Sequence, residues 1–336
     1  MDYKEMLKNA REKLNGSCRV CKQCNGVACA GEVPGMGGKD SGYAFIENFN
    51  RLQDVKLNMR VIHSACNPDM SVELFGQKMD IPVYAAPITG TTLNMGGLVS
   101  EREYITPVVK GCKENGICAM VGDTAIDEFL LENLDVLKEN QGHGIVFIKP
   151  WDNENVITKI KKAEETGAVA VGIDIDGCGL ITLSLYGKSV NPKTVDEIKE
   201  LVKSTKLPFI LKGIMTVEDA EMAVEAGVAA IVVSNHGGRV IDQTPATCEV
   251  LPEIAKAVKG KVKILVDGGV RTGVDVVKMI ALGADAVLIG RPFVTASFGG
   301  GEEGVKLYID KVKAEMRNAM VMTGCQSVED IDSRVI

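Results

Sequence analysis

The stretch Ser234-Asn235-His236-Gly237-Gly238-Arg239 sets an imidazole and a guanidinium three residues apart, with two glycines between them. Imidazole is the side chain best suited to accept a proton near neutral pH. A guanidinium grips a carboxylate through two parallel hydrogen bonds, and glycine lets backbone come close to a ligand. A base beside a carboxylate clamp suits chemistry at the carbon next to a carboxylate.

Two later segments suit a bound dianion. Asp267-Gly268-Gly269-Val270-Arg271-Thr272-Gly273 and Gly290-Arg291-Pro292 combine exposed backbone N–H groups, a helix N-terminus and two arginines. Lys212 closes the apolar run Leu207–Lys212, and its ammonium is costly to desolvate without an anionic partner. It suits either an electron-rich ring or an ion pair with Asp174 or Asp267. Asp176 is expected to hold His236 in the tautomer that a general base needs.

A third group is Cys18-x₂-Cys21-x₂-Cys24-x₄-Cys29. Thiolates at this spacing suit tetrahedral metal or an iron–sulfur cluster. The first three resemble the bacterial ferredoxin run, but the last interval differs and no proline follows Cys29. A [4Fe–4S] cluster, a zinc ion and metal-free thiols all stay open. The other six cysteines, Cys66, Cys112, Cys118, Cys178, Cys248 and Cys325, read as small buried hydrophobes.

Positioning elements are legible in the apolar pattern. Eight runs occur: Ile81–Pro87, Gly116–Val121, Gly144–Lys149, Ala168–Asp174, Leu207–Lys212, Val228–Ser234, Val262–Asp267 and Asp285–Ile289. They are continuous rather than alternating, which predicts parallel strands covered on both faces. Amphipathic segments lie between them, with Thr216 and Thr272 or Gly273 as N-caps. Eight βα units predict an α/β fold, a (β/α)₈ TIM barrel. A Rossmann-like sheet is the competing fold, but the first βα turn, Ala86–Gly90, lacks its glycine fingerprint. The barrel is expected over residues 43–336, with a helix (Tyr3–Leu14, on the surface) and the Cys-rich segment occupying 1–42. A small hairpin is expected within Asn67–Gly76 at the barrel base, and a final outer helix over Gly301–Met322.

Composition narrows the class. A net charge of −7 supplies no broad cationic field, which argues against nucleic acid as a partner. No apolar run reaches the roughly 20 residues of a membrane span, and the N-terminus does not read as a signal peptide. A cytoplasmic location is expected.

Catalytic groups of such barrels sit at the C-terminal strand ends. Those positions carry Pro87 and Thr89, Asp123, Lys149, Asp174 and Asp176, Lys212, His236 and Arg239, Asp267, and Gly290-Arg291. With these residues and Leu211–Ile214, Ser234–Arg239, Asp267–Gly273, Ala281–Ala286 and Ile289–Pro292, the chain from about residue 40 to 331 resembles the FMN-dependent α-hydroxy acid oxidase and dehydrogenase family. The resemblance implies oxidation of a small L-2-hydroxy acid to the 2-oxo acid, with electrons passing to flavin N5. It implies FMN held by Pro87, Thr89, Lys212, Ser234, Asp267, Gly268, Gly269, Arg271, Gly290 and Arg291. It casts His236 as base, Asp176 as its partner, Arg239 as carboxylate ligand and Lys212 as neighbour of the flavin pyrimidine edge. It also implies a homo-tetramer or octamer. A flavin-dependent isomerase or reductase and a redox sensor without turnover are the competing functions.

The chain departs from the family's substrate side. No aromatic falls near Pro34–Gly37, Lys149 stands where a second active-site tyrosine is expected, and the loop Gly177–Asn191 lacks a second arginine. Lys149 is the candidate for the missing positive charge, and Tyr186 and Lys188 are the candidates from that loop. The electron acceptor, dioxygen or another carrier, is left open; a cluster at the cysteines would provide an outlet other than dioxygen.

Overall fold

The computed structural model describes residues 1–336. Strands β1 (Val72–Leu74) and β2 (Gln77–Met79) form an antiparallel hairpin across Phe75-Gly76, both with left-handed φ (+52° and +72°). That is the two-residue turn whose twist suits a hairpin. The hairpin therefore lies later than expected, centred on Gly76 rather than ending there. Leu74 and Met79 pack against Tyr84, Cys118, Ile145 and Phe147 inside the barrel and plug its base.

All eight expected runs are strands: β3 (Val83–Ala85), β4 (Cys118–Val121), β5 (Gly144–Ile148), β6 (Ala170–Asp174), β7 (Phe209–Ile214), β8 (Ala230–Val233), β9 (Lys263–Val266) and β10 (Ala286–Ile289). They pair in parallel, and β10 closes onto β3 with Val287 opposite Val83. The fold is a (β/α)₈ barrel. Most strand residues are buried, as continuous Val/Ile/Ala runs require when helices cover the outside and side chains fill the inside. Thr216 and Thr272 cap their helices as expected, each hydroxyl accepting from the N3 backbone.

The ends of the chain depart further from expectation. The first helix, Tyr3–Lys13, is not merely on the surface: Met6, Ala10 and Leu14 are buried. It packs on the last helix, Arg291–Thr323, where Gly299 leaves room; a Cβ there would lie 2.2 Å from the Met6 carbonyl oxygen. That element is two helices meeting at a kink, Gly301 (φ +56°, ψ −140°), and its second part is the outer helix expected over Gly301–Met322, ending at Thr323. Residues 24–39 then lie over the C-terminal mouth of the barrel. Carbonyls of Cys24, Gly35, Met36 and Gly37 accept from Arg271, Arg239 and Arg291, while Lys39 N–H donates to the Gly238 carbonyl. No helix is long and apolar enough to cross a membrane.

Candidate active site

His236 follows β8 in a left-handed backbone conformation (φ +57°), and its N–H donates to Ser234 Oγ at 3.0 Å. The imidazole Nδ1 lies 3.0 Å from Asp176 Oδ1. Asp176 sits in the short 3₁₀ turn after β6, Ile175–Gly179, and reaches the histidine because residue 213 is glycine. A Cβ at Gly213 (φ +108°) would lie 2.6 Å from Asp176 Cγ. With Nδ1–H directed at the carboxylate, Nε2 is the ring nitrogen left free to take a proton. The imidazole lines a cavity of about 130 Å³ at the barrel mouth, whereas Asp176 stands behind it.

Three strands bring a charged triad under this cavity. Asp174 at the end of β6 is buried between Lys149, 2.6 Å from its Oδ2, and Lys212, 3.1 Å from its Oδ1. Burial alone would push the Asp174 carboxyl up, but Lys149 and then Lys212 overcome it and hold it well below the usual range. Lys212 is likewise held above its ordinary value: burial pulls it down, and Asp174, Asp176 and Asp267 outweigh that. Lys149 is paired with Asp174 and lines the cavity as well. Lys212 lies at a bulge within β7, 3.9 Å from Asp267 and 3.5 Å from His236 Nδ1, so it forms the expected ion pair and faces the cavity at once. Asp267 is pushed up, chiefly by burial.

Arg239 donates from Nη1 to the carbonyls of Gly35 (2.6 Å) and Gly37 (3.0 Å), and from Nη2 to Asn94 Oδ1 (2.9 Å). Its Nε takes no protein acceptor. Burial, and after it the nearby Arg291, pushes Arg239 down to about 9; burial brings Arg291 to about 10. Both stay cationic at neutral pH, and both gain from an anion in the cavity.

The expected dianion cradle is assembled. Gly268, Gly269, Arg271, Gly290 and Arg291 all line the cavity. Arg271 donates to the carbonyls of Cys24 (3.1 Å) and Val270 (2.7 Å), leaving its buried Nη2 without a partner. Arg291 uses Nε and Nη2 on Met36, Gly37 and Gly237 carbonyls, and its Nη1 has none. The N–H groups of Gly268, Gly269 and Gly290 find no acceptor in the protein. Unpartnered donors converging on one cavity, Arg271 Nη2 among them buried, fit the phosphate of a nucleotide. The two glycines have their own reason: with left-handed φ (+97° and +79°), a Cβ at Gly268 would lie 2.5 Å from Thr247 Oγ1, and one at Gly269 2.0 Å from the Asn48 carbonyl oxygen.

Some sequence expectations need correction. Ser234 does not line the cavity; it is buried beneath His236 and supports its backbone. Pro87 and Thr89 do line it, but the Thr89 hydroxyl donates to the buried Glu101 and accepts from Asn133. From the loop after β6 it is Leu180 and Thr182 that reach the cavity; Tyr186 and Lys188 do not, and Tyr186 is exposed. Cys66 and Cys178 are exposed, unlike Cys112, Cys118, Cys248 and Cys325. Sequence reasoning missed Asn94, which braces Arg239. It also missed Asn48 and Asn235, whose side-chain amides bond each other at 2.7 Å and 3.2 Å and tie helix Tyr43–Asp54 to the β8 loop.

Cys18, Cys21, Cys24 and Cys29 all border a second cavity of about 300 Å³, and none of the four is in a disulfide. Met36, Arg271 and Arg291 border both cavities and so form a wall between them.

Comparison with known proteins agrees with this geometry. The chain is 33% identical over 324 residues to L-lactate oxidase of Lacticaseibacillus rhamnosus, covering 88% of this chain and 86% of that protein. It is 32% identical over 330 residues to a peroxisomal (S)-2-hydroxyacid oxidase of Arabidopsis thaliana, covering 88% of each. A mandelate oxidase crystal structure superimposes with a TM-score of 0.77 at 27% identity, over 97% of this chain and 96% of that one. The profile of the FMN-dependent dehydrogenases matches residues 35–184 and 181–336, and the chain belongs to that family of flavin enzymes.

Proposed function

We propose that the enzyme oxidises a small (S)-2-hydroxy acid to the corresponding 2-oxo acid. The observation that carries this reading is the Asp176–His236 pair at 3.0 Å, presented to the same cavity as Arg239 and the phosphate cradle. FMN, when bound, supplies the two-electron acceptor that no side chain here can provide. Its phosphate would be held by Arg271, Arg291 and the N–H groups of Gly268, Gly269 and Gly290, and Lys212 would lie beside its ring.

The side chains divide the remaining work. The uncommitted Nε edge of Arg239 orients the substrate carboxylate. His236 Nε2 takes a proton from the substrate, and Asp176 offsets the positive charge that the ring then carries. Leu180, Thr182 and Met36 bound the cavity and exclude water from that transfer. Lys149 reaches the cavity while paired with Asp174, and Arg239 is the guanidinium placed to grip a small carboxylate.

Anaerobic mixing of the FMN-loaded enzyme with lactate, glycolate and mandelate tests the proposal. Bleaching of the flavin absorbance by at least one of them is expected. A flavin left oxidised by every hydroxy acid would instead mark an isomerase or reductase that has kept the flavin site.

A further inference from the structure

The hydroxy acid reading does not draw on the four cysteines, yet the turn that carries them is held by specific contacts. Val20 is buried in a left-handed conformation (φ +45°) that a β-branched residue rarely adopts, and its N–H donates to Cys18 Sγ at 3.4 Å. Arg11 pins the same turn through the carbonyls of Arg19 and Val20, both at 2.9 Å. Strain held in place by its surroundings belongs to sites with a task. Here it points a backbone donor at sulfur, an interaction that tunes iron–sulfur centres.

The arrangement of the thiols selects among ligands. Cys18 lies within electrostatic range of Cys24 and Cys29, and Cys29 of Cys21 and Cys24, so the four surround one space. No three of their sulfurs lie within 4.8 Å of one another. A single zinc ion with Zn–S near 2.3 Å needs sulfurs about 3.8 Å apart. A cubane cluster spreads its thiolates further, and the cavity of about 300 Å³ can admit one. The last interval departs from the ferredoxin run, yet the fold brings Cys29 to the same cavity as the CxxCxxC run.

Charge points the same way. Among the cations lining this cavity, Arg19 and Lys311 are paired with Glu32 and Glu315. Lys22, Arg271 and Arg291 have no carboxylate partner. An anionic cluster bound by four thiolates would offset them, on the side of the wall opposite the nucleotide phosphate.

We propose that Cys18, Cys21, Cys24 and Cys29 ligate a [4Fe–4S] cluster seated in this second cavity, behind the wall formed by Arg271 and Arg291. The assignment goes beyond the hydroxy acid reading and does not depend on it. The full chain, purified anaerobically from iron-supplemented cells, tests it through acid-labile sulfide, iron and zinc content, and electron paramagnetic resonance after dithionite reduction. About four iron and four sulfide per chain are expected, with a reduced-cluster signal. Both should be lost in a Cys21→Ser/Cys24→Ser variant and kept in Cys66→Ser, whose cysteine lies outside the loop. Zinc without sulfide, or four titratable thiols with neither metal nor sulfide, would overturn the assignment. So would iron retained in the double variant. The assay on the unaltered chain decides the matter even where that variant does not fold, and FMN content is read separately on each sample.

Discussion

At the scale of the residue, the site turns on one imidazole and what stands behind it. His236→Ala should leave FMN bound and slow flavin reduction by at least about 10²-fold, read by anaerobic stopped flow; an unchanged rate would remove His236 from the mechanism. Asp176→Asn keeps the shape but forfeits the charge behind Nδ1. It should lower the reduction rate by about 10²–10⁴-fold while leaving FMN affinity unaltered. Asp174→Asn acts through stability instead. It strands the buried Lys149 ammonium and takes from Lys212 the nearer of its carboxylates, and should cost about 3–5 kcal/mol in denaturant unfolding. Much of this was legible in the sequence, because His236, Arg239, Asp267 and Arg291 follow apolar strands whose ends must lie at one mouth. Asn94 and Glu101 were not legible: they sit in ordinary helical segments and matter only because the fold brings them to Arg239 and Thr89. The pairing of Lys149 was not legible for a related reason, since its partner Asp174 lies 25 residues away on the neighbouring strand.

At the scale of the element, the eight strands were readable because burial on both faces leaves continuous apolar runs with polar punctuation at either end. Turns and helix ends were less so. The base hairpin pivots on a left-handed phenylalanine, Phe75, which no turn preference announces. Packing of Tyr3–Lys13 on the last helix depends on glycines with no sequence signal of their own. Gly299→Val should therefore detach the first helix: limited proteolysis before residue 18 should become several-fold faster, whereas an unaltered rate would show that Gly299 does not govern the contact.

For the whole molecule, acid sensitivity follows from the charged triad. Asp174 is held below its unfolded value by Lys149 and Lys212. It therefore contributes stability that is present above the unfolded carboxyl range, near pH 4, and lost as pH falls through the folded value. Lys149→Met removes the first of those cations and raises the Asp174 carboxyl. The acid unfolding midpoint, followed by circular dichroism, should move to higher pH; a shift to lower pH would mean that the ion pair is not what holds Asp174 ionised.

The roof over the mouth carries a consequence for how the protein is made. Residues 24–39 offer their carbonyls to Arg239, Arg271 and Arg291, which lie more than 200 positions later. During synthesis the segment that leaves the ribosome first has nothing to dock on until almost the last strand has followed. The full cover can seat only once Arg271 and Arg291 have been made, so a nascent chain passes through an open-mouthed stage in which FMN can enter from solvent.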